Sequence, residues 1–332
     1  MQPTHAIIDL DAYKYSAAYV GEKRTIVVTH KTEGWSKPYK NRTEFYGHWK
    51  KKAGGDLKEI NKDRESPYQV EEFDIQDVQT PEPIDFVLHT AKQMVDRSLI
   101  ESGAKTYETY MGKGDSFRVE LSTLQKYKGD RINSLRPLHL DAVTNYLEKK
   151  YAAEIITDLE ADDMCVIRAY RQKNNFIMGE DKDYWGCAVN FYDINRKERG
   201  IVNCDKLGHL FLDKKGDIRG EGRMHFYWQM ISEDSVDCYK ANYHSEIEWA
   251  GVSAYNTLVD CKTDSECWQA MVDTFKHLYP EPKTVIGWRG DEILIDWKYV
   301  MQEMFNMAHM KRSLDEPLTD INTVLERMKV IV

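Results

Sequence analysis

The chain has 332 residues, a formal net charge of −9 and 42% hydrophobic residues. This hydrophobic fraction excludes an intrinsically disordered chain, and the 19 glycines and 9 prolines are too few for a collagen-like protein. The net negative charge argues against a wholly basic nucleic-acid coat protein, although it is compatible with a local basic segment.

The six cysteines include no Cys-x-x-Cys pair and do not show the Cys and His spacing of a zinc site. We expect reduced thiols and a cytoplasmic protein. Residues 6–8 are too short an apolar run for a signal peptide, and no stretch predicts a membrane span. No membrane partner is therefore expected.

The first part of the chain predicts strands and an insertion. Residues 6–10 form an apolar run containing Asp9, as in a buried parallel strand, and residues 25–29 predict a second strand. Residues 31–82 are polar and rich in Lys and Tyr, which predicts an insertion outside the main core.

Strands and helices then alternate. Helical periodicity covers residues 86–100 and 137–151, a strand is predicted over 153–157, a helix over 158–169 and a strand over 176–178. This alternation predicts an α/β fold with a mainly parallel sheet flanked by helices.

Beyond about residue 245 the pattern becomes helical, with apolar stripes over residues 264–278 and 291–309. A helical C-terminal part is therefore expected.

Acidic residues follow several of the predicted strands and apolar runs. Asp9 lies at the end of the first strand, and three motifs follow later, namely Glu160-Ala161-Asp162-Asp163, Glu180-Asp181-Lys182-Asp183 and Asp234-Ser235-Val236-Asp237. Because sites in open α/β sheets form at the carboxyl ends of the strands, we expect these acids to converge.

Carboxylates a few ångströms apart repel one another unless a cation lies among them. Oxygen ligands without Cys or His favour Mg²⁺ or Mn²⁺ over zinc, and two such ions about 4 Å apart are the usual device for hydrolysing a phosphodiester. The alternative is that each acid caps a helix or a turn. The three motifs together with Asp9 favour the metal site.

Residues 105–136 contain seven Lys and Arg residues against four Asp and Glu residues, with Tyr127 among the cations. A basic segment with an aromatic side chain suits phosphate neutralisation and base stacking. The alternative is a solvated surface segment.

Several motifs resemble those of the 5′-nuclease family, which includes flap endonucleases, bacteriophage 5′–3′ exonucleases and the 5′-nuclease domain of bacterial DNA polymerase I. The resemblance covers roughly residues 5–20 and 84–255. The matching motifs are Ile7-Ile8-Asp9, Lys113-Gly114-Asp115-Ser116-Phe117-Arg118, Tyr127-Lys128-Gly129-Asp130-Arg131, Glu160-Ala161-Asp162-Asp163, Asp181-Lys182-Asp183 and the segment from Gln229 to Asp237.

The resemblance implies a PIN-like 5′-nuclease fold and two Mg²⁺ ions, for which Mn²⁺ can substitute. The implied metal-binding residues are Asp9, Glu160, Asp162, Asp163, Asp181, Asp183, Asp234 and Asp237. The implied catalytic residues are Lys128, Asp163 and Asp181, with Lys128 contacting the scissile phosphate. The implied nucleic-acid contacts are Lys113, Arg118, Lys126, Tyr127, Lys128 and Arg131, with Tyr127 stacking beside Lys128.

The sequence departs from the family pattern at several positions. Met111 stands where the family has an Asp before Ser-Phe-Arg, and Asp115 lies closer to that element than expected. Glu233 replaces a Gly and Cys238 replaces an Asn. Residues 251–255 lack the second Gly of the helix-hairpin-helix element, which weakens the expectation of a K⁺ site there.

We therefore predict a 5′-nuclease core over residues 1–240, with an insertion at about 31–82 and an arch segment at about 113–136. A helical DNA-binding region follows over 241–332. The predicted activity is a metal-dependent 5′–3′ exonuclease or flap endonuclease of replication or repair, located in the host cytoplasm if phage-encoded. Expected partners are DNA 5′ ends, flaps and RNA–DNA hybrids, together with replication proteins.

Two alternatives remain open. A PIN-type ribonuclease would share the core, and a non-catalytic DNA-binding protein would explain the altered motifs. Three multi-acid motifs favour the nuclease, because a protein that only binds DNA has no need of them. For the nuclease, removing Asp163 or Asp181 is expected to abolish cleavage and to leave the metal-free protein as stable or more stable.

Overall fold

The computed structural model describes residues 2–48, 53–130 and 135–332. Its strands are β1 (His5–Asp9), β2 (Glu22–His30), β3 (Ser36–Tyr39), β4 (Gly47–His48), β5 (Ala53–Gly54), β6 (Phe73–Pro81), β7 (Thr106–Ser116), β8 (Glu154–Asp158), β9 (Asn175–Gly179), β10 (Asn190–Asp193), β11 (Val202–Asn203), β12 (His209–Leu212), β13 (Ile218–Glu221), β14 (Glu233–Asp234), β15 (Tyr239–Lys240), β16 (Lys283–Ile286) and β17 (Glu292–Ile295). Its helices are α1 (Leu10–Val20), α2 (Arg42–Tyr46), α3 (Asp56–Ile60), α4 (Ile84–Ser102), α5 (Phe117–Leu121), α6 (Leu140–Tyr151), α7 (Ala161–Arg171), α8 (Arg223–Met230), α9 (Gly251–Leu258), α10 (Asp264–Leu278), α11 (Trp297–Ala308) and α12 (Ile321–Arg327).

The chain divides into two units. The first consists of Met1–Tyr13, Met94–Leu135 and Leu147–Val332, and the second of Lys14–Gln93 and Arg136–Tyr146. These units do not coincide with the predicted division at residue 240.

A six-stranded sheet forms the centre of the first unit, in the order β11-β10-β9-β1-β7-β8. Neighbouring strands are parallel except for the short edge strand β11, which runs antiparallel to β10. Ile7 and Ile8 of β1 are fully buried, as a strand covered on both faces requires. Helix α7 links β8 to β9 and contacts β1. The predicted mainly parallel sheet flanked by helices is confirmed.

This topology determines where the acidic motifs lie. Strand β1 ends at Asp9, β8 ends at Asp158 and β9 ends at Gly179. Since these strands are parallel within one sheet, the residues that follow them lie at one edge. The third motif differs, because Asp234 follows helix α8 rather than a long strand.

Helices α8 to α12 pack around a second core that includes Trp268, Phe275, Met301 and Met304. The predicted helix over 291–309 is wrong in its first part, because Glu292–Ile295 forms strand β17, antiparallel to β16. Asp296 then starts helix α11 by accepting a hydrogen bond from the Tyr299 backbone N–H at 2.8 Å.

The second unit contains the predicted insertion, which begins earlier than expected. Strands β3, β2 and β6 form a sheet whose ladder pairs Glu22 with Pro81. One face covers a small core that includes Val28, Phe45 and Phe73. The insertion is therefore a folded element with a core of its own.

The insertion also pairs several of its cations internally. Lys37 lies 2.7 Å from Asp56, and Arg42 forms a two-bond ion pair with Asp77 at 2.6 and 2.7 Å. The charges of Lys37 and Arg42 are therefore matched by carboxylates of the same unit.

Phe45 is fully buried in this small core, so Phe45→Ala should destabilise it by about 3–5 kcal/mol. Hydrogen exchange at β2 and β6 should accelerate while exchange in β1 and β9 stays slow. Tyr46→Ala, at the exposed neighbouring residue, is the control and should change little. Unchanged exchange in β2 and β6 would show that Phe45 does not hold this core together.

Candidate metal centre

The N-terminus of α7 carries the tightest group of acids. Glu160 is the residue before the helix, and Asp162 and Asp163 lie in its first turn. Ligand oxygens of these three residues all lie within 4.8 Å of one another, which is close enough to hold a metal ion. The sequence predicted this grouping.

Three further predicted acids, Asp9, Asp181 and Asp183, are linked to this group through Asp181, whose charge acts on Asp162, Asp9 and Asp183. Asp9 is buried at the end of β1, and burial, with added repulsion from Asp11 and Asp181, raises the pKa of its carboxyl to about 8. Burial, with repulsion from neighbouring carboxylates, also raises the pKa of Asp162, Asp181 and Asp183. Acids from β1, β8 and β9 therefore converge, as predicted.

Lysines offset part of this repulsion. Lys128 forms an ion pair with Glu160 and lies 3.6 Å from Asp237, and Lys182 lies 2.5 Å from Asp234. Burial opposes ionisation of Glu160 and Asp234, but these lysines prevail and lower the pKa of both carboxyls. All eight predicted metal-binding acids thus belong to one charged network.

Arg118 does not lie where the sequence placed it. Its side chain is only 1% exposed, and its guanidinium forms a two-bond ion pair with Asp163 at 2.6 and 2.9 Å. It also donates to Glu160 at 2.8 Å and to the carbonyl oxygens of Met307 and His309. We therefore reassign Arg118 from DNA contact to internal support of the acids.

This pairing also changes what is expected of Asp163. Both of its carboxylate oxygens accept hydrogen bonds from Arg118, and one also accepts from the Lys311 backbone N–H at 3.0 Å. Removing Asp163 would leave a buried guanidinium without its partner, so the metal-free protein should lose stability. For Asp181 the original expectation still holds, namely that removing its carboxylate leaves the metal-free protein as stable or more stable.

Tyr127 also differs from its predicted role. It is buried, and its hydroxyl donates to Glu160 at 2.8 Å and to Asp237 at 3.1 Å. Its ring therefore cannot stack on a nucleobase, and its phenol instead bridges two acids.

The segment that precedes Tyr127 is held by the helical part of the first unit. Glu303 of α11 is buried and accepts from the backbone N–H groups of Thr123 at 3.0 Å and Leu124 at 2.7 Å. Arg289 donates to the carbonyl oxygens of Ser122 and Val119. These bonds fix the backbone only a few residues before Lys128.

Two residues of the centre have left-handed backbones, with φ of 54° at Lys128 and 59° at Cys238. The Lys128 N–H donates to the Asp237 carbonyl at 2.9 Å, so the two segments touch at this point. A left-handed backbone is unfavourable for most residues other than Gly and Asn, so both positions carry local backbone strain.

The sequence analysis missed Asp11. Gly112 donates its backbone N–H to Asp11 Oδ1 at 3.1 Å, and a Cβ at Gly112 would lie 3.1 Å from Oδ2. Asp11 thus places a carboxylate beside Met111, where the resemblance had led us to expect an acid. Applying the strand-end rule to the residues after β1 would have found it.

Gln229 and His225 lie one turn apart on α8 beside Asp183. Gln229 donates to Asp183 Oδ1 at 2.6 Å, and His225 Nε2 lies 4.0 Å from the same oxygen. Burial, reinforced by Lys182, lowers the pKa of His225 to about 3, so this imidazole is neutral near pH 7. Gln229 therefore orients Asp183, and the neighbouring imidazole adds no charge.

The remaining nucleic-acid predictions fall on exposed or undescribed residues. Lys113 and Lys126 are exposed to solvent, and Arg131 lies outside the described residues. Among the described helices, none has the length and apolar character that a bilayer crossing requires.

Comparison with protein-family models gave no match, and neither did comparison with curated proteins. The functional interpretation therefore rests on the geometry of the acidic centre. Its ligand atoms are carboxylate oxygens, the donors that hard divalent cations prefer.

The raised pKa of Asp9 predicts how pH affects the metal-free protein. Between about pH 4 and pH 8 the folded state holds a proton that the unfolded chain has lost, so stability should fall as pH rises. Asp9→Asn should reduce this slope and raise stability near pH 8, as measured by urea unfolding in EDTA. Asp315→Asn, at an exposed residue, is the control, and an unaltered slope in Asp9→Asn would contradict the prediction.

Arg118→Met should destabilise the protein by about 3–5 kcal/mol in urea unfolding, because it leaves Asp163 as a buried charge without its partner. Arg171→Ala, at an exposed arginine of the same helix as Asp163, is the control. A stable Arg118→Met variant with weakened DNA binding would instead restore the original assignment of Arg118 to nucleic-acid contact.

Proposed function

We propose that this protein is a metal-dependent 5′ nuclease with a PIN-like fold that hydrolyses DNA phosphodiesters at 5′ ends or flaps. The observation that carries the proposal is the convergence of Asp9 and the three acidic motifs around Lys128. Convergence at the carboxyl edge of a parallel sheet is the arrangement that the resemblance to 5′ nucleases implies.

The donor set fits a hard divalent cation, because burial and mutual repulsion raise the pKa of these carboxyls even with the lysines that lie among them. Asp9, Asp162, Asp181 and Asp183 would hold the ions, with Asp11 as a further carboxylate, because Asp163 and Glu160 are already paired with Arg118 and Lys128. Bound Mg²⁺, or Mn²⁺ in its place, would supply an activated water and would offset the negative charge on the phosphate oxygens.

The chain's own residues have distinct roles in this proposal. Lys128 provides a positive charge at the acidic centre, where the phosphate has to approach. Arg118 and Tyr127 hold Glu160 in place, and Gln229 orients Asp183. No side chain needs to act as a nucleophile.

Lys128→Ala tests the proposal. The backbone at Lys128 is left-handed in the wild type and stays equally unfavourable with Ala, so the substitution adds no new backbone strain and removes the charge together with its ion pairs to Glu160 and Asp237. Single-turnover cleavage of 5′-flap DNA in Mg²⁺ should slow by about 100-fold or more. Binding in Ca²⁺ should weaken far less, because one phosphate contact changes the slope of log affinity against log salt concentration by only about one.

Lys105→Ala is the matched control, since Lys105 is an exposed lysine outside the acidic centre. Equal losses of cleavage rate and DNA affinity in Lys128→Ala would show that Lys128 attracts DNA by its charge and has no specific role in cleavage. Specific DNA binding by the wild type without any Mg²⁺-dependent cleavage would favour the non-catalytic binding protein, and cleavage of RNA alone would favour the PIN-type ribonuclease.

A further inference from the structure

A groove of about 490 Å³ lies beside the acidic centre and has no role in the site described so far. It runs past Asp234 and Gly129, the residue after Lys128, and its walls include Lys126, Tyr243 and Trp288. Its volume falls within the range of about 300–1,000 Å³ that small-ligand sites occupy, which leaves room for one nucleotide.

Trp288 is held rigidly in the groove wall. It lies in the turn between β16 and β17, and its indole N–H donates to the Ser122 carbonyl at 2.8 Å. The Arg289 guanidinium lies over the ring at 4.2 Å, but Arg289 does not line the groove. The Lys126 ammonium, which does line the groove, lies 5.5 Å from the ring centroid.

The groove therefore combines aromatic surface with side chains of both charges, since Asp130, Glu233 and Asp234 line it together with Lys126 and Lys240. Tyr243 is about half exposed, so it adds a second aromatic side chain to the wall. Lys126 is exposed and forms no ion pair with any residue in the described part of the chain; its ammonium contacts the Trp288 ring instead. Lys240 lies 3.6 Å from Glu233, and Asp234 is paired with Lys182. Of the two lysines in the groove wall, Lys126 is therefore the one whose charge can meet a phosphate.

We propose that this groove binds one unpaired nucleotide next to the scissile phosphate, with its base stacked on Trp288 and its phosphate at Lys126. The inference rests on the proposed nuclease function, because it identifies single-stranded DNA as the ligand beside that site. Stacking on an aromatic side chain suits any base, since every base has a π face. The stacking role that the sequence analysis gave to Tyr127 thus passes to Trp288, whose ring is partly exposed.

A matched pair of substitutions separates stacking from support of the loop. Trp288→Phe and Trp288→Leu both remove the hydrogen bond to Ser122, but only Phe keeps an aromatic face. The probes are fluorescein-labelled oligothymidylates, one intact and a series with a single abasic position moved along the strand. Binding is measured by fluorescence anisotropy with the full chain in Ca²⁺.

For the wild type, loss of the base at one position should weaken binding about 10-fold. Trp288→Leu should bind the intact strand about 10-fold more weakly and should no longer respond to the abasic position. Trp288→Phe should keep most of the affinity for the intact strand and should still bind the abasic strand more weakly. Equal losses in both variants, or no loss in either, would overturn the stacking assignment.

The same samples distinguish this proposal from the proposed function. If the wild type binds the abasic strand more weakly but shows no cleavage in Mg²⁺, the nucleotide-binding role of the groove is supported and the nuclease proposal is wrong. If the wild type cleaves DNA but shows no abasic response at any position, the nuclease proposal stands and the groove assignment is overturned.

Discussion

The buried ion pair between Arg118 and Asp163 joins one part of the acidic centre, the start of α7, to two supporting parts of the chain. Arg118 follows β7, Asp163 starts the helix after β8, and the same guanidinium reaches the carbonyl oxygens of Met307 and His309 at the end of α11. A fully buried charge of this kind is stable only with a complete set of partners. The pair therefore fixes the N-terminus of α7, and with it Glu160 and Asp162, relative to the sheet.

Internal cations explain how so many carboxylates coexist in one place. Lys128 and Lys182 lower the pKa of Glu160 and Asp234, whereas burial and mutual repulsion raise the pKa of Asp9, Asp162 and Asp183. The centre is thus divided between carboxylates that the chain neutralises itself and carboxylates that still favour a proton or another cation.

The sequence predicted those features that depend on local pattern. The strands ending near Asp9 and Gly179 and the helix that begins after Glu160 follow from apolar runs and an acidic first turn, and the structure confirms them. The roles of Arg118 and Tyr127 could not be predicted, because a basic or aromatic residue in a basic segment has the same local pattern whether it faces solvent or an acid. Only contacts across more than 30 residues decide between the two.

Asp11 and Glu303 show how far local sequence patterns can predict the residues of the site. Asp11 follows a predicted strand, so a local rule could have found it, whereas Glu303 binds Thr123 from 180 residues away. The β17 segment was misassigned because a short apolar run before a helix has no periodicity of its own. The fold class was thus accessible from the sequence, but the internal supports of the site were not.

The insertion in the second unit enters and leaves at a single point. Glu22 pairs with Pro81 at the end of the ladder, and the Glu82 N–H donates to the Gly21 carbonyl at 2.9 Å. The distance between these ends is set by one pair of strands and does not depend on how many residues lie between them. Lengthening the tip loops would add only a slowly growing entropy of closure. Segments of the insertion can therefore be exchanged, or a reporter added at its tip, without altering the connection from α1 to α4.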